Sequence, residues 1–120
     1  MTTYTTRLDV KFKPLEIVDV AHLVEENTDE WYNQTLCQVN DSIVRLGVLE
    51  GEYHWHHHDD GDEFFMVLDG TLLIDLEERT VELSRWQGIT IPRGVEHRPR
   101  APAKTVVMMV EQQNVVPTGN

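Results

Sequence analysis

From Ser42 onward the chain alternates apolar and polar positions in short runs separated by turn-forming residues. Ser42 to Leu49 puts Val44, Leu46 and Val48 on one face and Ile43, Arg45, Gly47 and Leu49 on the other, the two-residue period of a strand. Phe64 to Leu68, Thr71 to Leu76, Thr80 to Leu83, Ile89 to Ile91 and Thr105 to Val110 are apolar or β-branched and predict further strands. The breaks between them are Asp69-Gly70, which signals a hairpin, then Glu77-Glu78-Arg79, Arg85 to Gly88, Pro92-Arg93-Gly94 and the proline-bearing 99–102 stretch. Short strands with regular turns, and no alternation with long helices, predict an all-β sandwich or barrel rather than a parallel α/β sheet.

Before Ser42 the pattern is less regular. Residues 1–6 are polar and are expected to be loose. Arg7 to Lys13 alternates, with Leu8, Val10 and Phe12 on one side, and predicts a half-buried strand that Pro14 ends. Asp19 is suited to cap a short helix bearing Val20, Leu23 and Val24, which Asn27-Thr28-Asp29 stops. Trp31 to Gln38 has no clear period, although Leu36 could lead into a strand. Asn114 to Asn120 has none either, and the chain contains no internal repeat or low-complexity tract.

Composition narrows the functional classes. A chain of 120 residues, 40% hydrophobic, is the size of one domain with one core. It carries 21 acidic and 10 basic residues, a formal net charge of -11, and this repels phosphate backbones. No basic patch offsets that charge, so nucleic acid is not an expected partner. Cys37 is the single cysteine, so no intrachain disulfide forms, which fits a reducing compartment. The first residues carry no apolar run of signal-peptide length, and no segment approaches the roughly 20 apolar residues of a membrane span. The expectation is a soluble cytoplasmic protein with no membrane partner.

The candidate chemistry lies between Gly51 and Gly70. His54, His56 and His58 are two apart, so in an extended chain they share a wall, while Tyr53, Trp55 and His57 face away. Asp59-Asp60-Gly61-Asp62 forms a turn, after which Glu63 opens an apolar strand. Histidines and a carboxylate on one wall suit Fe, Mn, Ni, Cu or Zn. Taken alone, the histidine run also admits a second reading as a polar, surface-exposed strand edge. A metal site requires separated residues to converge on one point, and the run by itself does not supply them. His22 is expected on the surface of the short helix. No glycine-rich phosphate loop or nucleophile elbow is present, and Cys37 has no motif around it.

The spacing Gly51, His56-x-His58, Glu63, Gly70 resembles the first motif of the cupin family, and Pro92-Arg93-Gly94-Val95-Glu96-His97 resembles its second. The resemblance covers about residues 42–111, leaving 1–41 as an N-terminal extension of a single domain spanning 1–120. It implies a jelly-roll-like β-barrel with a short N-terminal helix. It also implies one divalent metal ion (Fe, Mn, Ni or Zn) held by His56, His58, Glu63 and His97. Side-chain alternation by itself also allows the shifted pair His54 and His56; the four-residue gap before Glu63 in the matched motif favours His56 and His58. Two positions depart from the pattern. Trp86 stands where the second motif has a glycine six residues before its proline, so Gly88 is expected to make that turn. Ala101 replaces a trailing asparagine.

Two enzyme classes follow from the resemblance: dioxygenase-like oxidation, and isomerase or lyase chemistry, each on a small organic molecule. The alternative is a non-catalytic ligand-binding or sensory module. Small cupins of this kind are described as similar to mannose-6-phosphate isomerase, and the only arginines here that could form a phosphate cluster are Arg93, Arg98 and Arg100. Tyr53, Glu52 and Glu96 are the acid–base candidates beyond the ligands, with Tyr53 expected on the face opposite His56. Phe65, Val67 and the Val106–Val110 strand are expected to give a mostly apolar lining, and Met108 and Trp86 to pack in the core. The Leu8-Val10-Phe12 face needs a cover, which predicts a homodimer.

Overall fold

The computed structural model describes residues 3–120. Its elements are β1 (Tyr4–Arg7), α1 (Val20–Glu26), β2 (Trp31–Val39), β3 (Ser42–Glu52), β4 (Glu63–Asp69), β5 (Leu72–Leu76), β6 (Thr80–Leu83), β7 (Gly88–Ile91) and β8 (His97–Gln112). The long strand β8 organises the rest. One of its edges pairs with β3, and the other carries β4 and β5 end to end, through Glu63↔Glu111 and Leu76↔His97 among others. The sheet runs β1–β2–β3–β8–β4–β7, with β6 beside β5. This is the all-β, jelly-roll-like barrel that the strand pattern and motif spacing predict.

The β3–β8 ribbon is not straight. Its register steps from Leu49↔Thr105 to Gly51↔Ala101, so β8 spends four residues where β3 spends two. Extra residues on one strand bend a ribbon and strengthen its twist. As a result Glu111, near one end of β8, is paired with Glu63, while His97, at the other end, also reaches the Glu63 carboxylate.

The middle of the sheet is buried on both sides. Inside the barrel lie Trp31, Leu49, Phe65, Val67, Leu72, Ile74, Val107 and Met109. Outside it, α1 covers β2, β3 and β8 through Leu23 against Leu36, Leu46, Val48 and Val106. Asp19 caps α1 by accepting the His22 N–H at 3.1 Å, and the helix ends at Asn27, as expected. Seven residues are too few for a helix stable on its own, so α1 depends on this apolar seam.

Several elements differ from the sequence expectations, each for a physical reason. The first strand is Tyr4–Arg7, parallel to β2, and not Arg7–Lys13. Tyr4 anchors it by packing its ring on Trp31 and Tyr53, so residues 4–6 are not loose; residues 1–2 lie outside the described region. Leu8 and Val10 are 62% and 44% exposed, and of the expected face only Phe12 packs, tied by its N–H to the Leu36 carbonyl. Strand β2 lacks a visible period because a bulge between Thr35 and Cys37 switches its faces, burying Gln34, Thr35 and Leu36 in succession. Asp69-Gly70 does not close a hairpin: β4 pairs with β7 and β8, and β5 with β6 and β8. Gly70 makes a corner instead, at φ +89, where a Cβ would lie 2.7 Å from Thr105 Oγ1.

The 99–102 stretch is part of β8 rather than a turn, and the Pro99 carbonyl accepts the Tyr53 N–H at 3.0 Å. Trp86, not Gly88, makes the β6–β7 turn, at φ +70. Trp86 is also 65% exposed rather than in the core, with the Arg85 guanidinium over its ring. Gly88 is needed for closeness: a Cβ there would meet the Phe65 carbonyl at 2.6 Å. Met109, rather than the half-buried Met108, points into the barrel core. No helix among the described residues is long and apolar enough to cross a membrane.

Candidate metal centre

The histidine segment after β3 is irregular rather than a strand. It is held by one bridge, in which the backbones of His56 and His97 exchange hydrogen bonds of 3.0 and 2.9 Å. Alternation survives where it matters. His56 and His58 are buried, His54 and Trp55 are exposed, and His57 turns outward to Glu96 and Asp59. Glu63 opens β4 and His97 opens β8, both buried. One ligand atom from each of His56, His58, Glu63 and His97 lies within 4.8 Å of the others. Glu63 Oε1 is 3.3 Å from His58 Nε2 and 3.4 Å from His97 Nε2. The shifted pair is not formed, because His54 Nε2 turns away to the Thr118 carbonyl at 2.7 Å.

The backbone fixes two ring tautomers. His56 Nδ1 lies 2.9 Å from the His54 carbonyl, and His97 Nδ1 lies 2.9 Å from the Val95 carbonyl. A carbonyl only accepts, so each Nδ1 carries the hydrogen and each Nε2 keeps a free lone pair. Burial lowers the His56 pKa to about 4, and the neighbouring His97 and His58 rings act in the same direction, so the ring is neutral at pH 7. His58 Nδ1 and Nε2, His97 Nε2 and Glu63 Oε1 are buried with no hydrogen-bond partner. An unmet buried polar group costs about 1–3 kcal/mol, and several converge here. Neutral imidazoles and one carboxylate are the donor set of a divalent transition metal, so these residues fit such an ion.

Two buried residues beside the centre escaped the sequence reading. Glu111 pairs with Glu63 across β8 and β4 and is 3% exposed. Burial, and then the charge of Glu63, push the Glu111 carboxyl up to about 9, so it is protonated at neutral pH. Burial pushes Glu63 the same way, yet its pKa is lowered overall, with the approach of His58 acting most strongly against burial. Arg45 is 1% exposed. It donates from Nε to Asn33 at 2.8 Å and from Nη1 to Thr35 at 2.7 Å, and its Nε lies 3.6 Å from Glu111. The available signal was parity: Arg45 shares a face with Leu49, and Glu111 follows Val107 and Met109 at even spacing. The barrel lining is therefore not simply apolar, since Asn33, Thr35, Arg45 and Glu111 interrupt it.

Tyr53 faces the centre, contrary to expectation. The chain is irregular there, and its ring stacks on Trp31 at 5.2 Å and meets His56 edge-on at 5.4 Å. Together with Asn33, Phe65 and Pro117, it lines a cavity of about 30 Å³ that reaches His56 and Glu63. Glu52 and Glu96 are exposed, outside this cavity. The arginines do not form a phosphate cluster. Arg98 and Arg100 both bind Asp75, at 2.8 Å each, and hold its carboxyl well below the usual range.

The sequence matches the family described as Cupin domain over residues 43–111. The chain belongs to the cupin family. This cupin is 42% identical over 92 residues to the uncharacterized protein YdbB of Bacillus subtilis, a match covering 76% of this chain and 81% of that protein. It is similar to the crystal structure of a cupin-2 domain containing protein from Shewanella frigidimarina, with 31% identity and a TM-score of 0.76 over 80% of this chain and 94% of the other. Protein NMB1881 from Neisseria meningitidis shares the fold, with a TM-score of 0.71 at 18% identity, over 81% of this chain and 99% of that one.

Proposed function

We propose that this cupin holds one divalent transition-metal ion (Fe, Mn, Ni or Zn) through His56, His58, Glu63 and His97 and presents it to a small molecule. The observation that carries the reading is the set of buried, unpartnered nitrogen and oxygen atoms on three of those four residues. Bound there, a divalent ion supplies Lewis acidity, and a redox-active one also supplies electrons for dioxygenase-like oxidation. The chain's own residues add the rest. The His54 and Val95 carbonyls aim the rings of His56 and His97. Glu111, buried and paired with Glu63 across β8 and β4, backs that ligand from outside the cavity lining. Tyr53, Trp31 and Phe65 give the cavity an aromatic wall. A second reading, a non-catalytic ligand-binding or sensory barrel, is favoured by the small volume of that cavity.

Metal analysis of protein purified without added metal tests the reading, with about one divalent ion per chain expected. His58→Ala and His97→Ala should each lower the occupancy at least about tenfold, and His57→Ala should leave it unchanged. Equal losses from His57→Ala and His58→Ala would overturn the assignment. A net charge of -11 and the free thiol of Cys37 support a cytoplasmic setting. The exposed Leu8, Val10, Leu15 and Ile17 support a homodimer, which light scattering would detect.

A further inference from the structure

The 115–120 segment lies across the histidine segment. The Thr118 carbonyl accepts from His54 Nε2 at 2.7 Å. The Asn120 N–H donates to the His57 carbonyl at 2.8 Å, and the Asn120 side-chain oxygen accepts the Asp59 N–H at 2.7 Å. Gly119, at φ +91, packs so closely on His56 that a Cβ there would come within 2.5 Å of the His56 Cβ. Val115 is buried and anchors the near end of the segment. Between these fixed points Pro117 forms part of the wall of the cavity that reaches His56 and Glu63. That cavity measures about 30 Å³. A single water molecule needs roughly 10–15 Å³ of such space, whereas organic-ligand pockets start near roughly 300 Å³.

We infer that the 115–120 segment is the specificity-determining wall of the site, with Pro117 admitting water and two- or three-atom ligands and excluding larger chelators. The inference rests on the metal reading above for what lies beneath the wall. Residues His54, His57 and Asp59, which hold the segment, flank the two histidine ligands, so the same backbone that positions the ligands also seats the wall. Glycine is required at 119 on two counts, a left-handed backbone and the absence of room for a side chain. Gly119→Ala therefore forces the segment and the His56 side chain apart, whereas Pro117→Gly opens the wall without touching a metal-binding side chain.

The test uses full-length protein loaded with cobalt and two probes, azide and the larger bidentate acetohydroxamate, followed by absorption spectra. Azide should bind the unaltered protein and acetohydroxamate should not. Gly119→Ala, and separately Pro117→Gly, should tighten acetohydroxamate binding at least tenfold. A second measurement needs no metal. In a Trp55→Phe, Trp86→Phe background, acrylamide quenching of Trp31 in metal-free protein should rise severalfold with Gly119→Ala. If quenching rises but cobalt does not bind, the wall stands and the metal reading falls. Acetohydroxamate binding equally well with and without the substitutions overturns the inference, as does Trp31 quenching that neither variant changes.

Discussion

Leu46 and Val48 on one face of β3, and Arg45 and Leu49 on the other, are all at most 2% exposed. The outer face meets mainly hydrocarbon, from Leu23, Leu36 and Val106, with Tyr32 and Cys37 at the margin of the seam. The inner face meets Asn33, Thr35 and Glu111 as well as apolar side chains. Burial is equal, but the electrostatic demands are opposite. The outer seam gains from every methylene it hides. The inner face keeps the Arg45 cation, the Glu63 carboxylate and the protonated Glu111 carboxyl in low dielectric, where desolvation commonly exceeds the attraction between charges. Burial therefore does not separate structure from function in this barrel. Polar atoms left with partners to find do separate them, and they lie on the inner face alongside the histidines.

The comparison can be broken most directly at Arg45. Arg45→Met removes the cation facing Glu63 and Glu111 and should cost about 3–5 kcal/mol in urea unfolding. Adding Glu111→Leu should return a large part of that loss, because the two positions act as a unit. A neutral Arg45→Met would erase the distinction between the faces. On the outer face, Leu46→Ala should cost about 3 kcal/mol through the cavity it leaves, with metal stoichiometry unchanged. A loss of metal in that variant, at temperatures where it is folded, would show that the two faces are not separable.

The third effect is graded with pH. The folded-state pKa of Glu111, about 9, lies above its ordinary value of 4.5. Above pH 4.5 the unfolded chain has released the proton while the folded protein retains it, so stability falls as pH rises until the folded value is passed. Below about 6.5 the depressed His56 works in the opposite sense, so the decline is best read between pH 6.5 and 9. In metal-free protein it should not exceed about 1.4 kcal/mol per pH unit. Glu111→Gln should flatten it, and Leu46→Ala should preserve it. A flat profile in the unaltered protein would mean that Glu111 is ionised in the fold.

The four residues that cluster were legible because two separated motifs resemble those of the cupin family; parity alone left His54 and His56 open as the pair and did not point to His97. The helix was legible because Asp19 is a local cap. What could not be read depended on distant partners. Tyr4 forms a strand because Trp31 and Tyr53 receive its ring, and nothing near Tyr4 records that. The bulge at Thr35 hides the period of β2. Arg45 and Glu111 look like outward-facing charges until the register brings Glu111 opposite Glu63. Trp86 adopts a backbone conformation that an aromatic residue does not advertise.

The bent β3–β8 ribbon also constrains the order of folding. Its two ends bring Glu111 and His97 to one carboxylate, and each meets a partner far away along the chain: Glu63 for Glu111, His56 for His97. Closing such long loops is entropically costly and slows the search, and a barrel built on them belongs among the millisecond-to-second folders. The four groups converge only where β8 has met both the histidine segment and β4, so the donor set is a property of the closed barrel rather than of any one stretch of the chain.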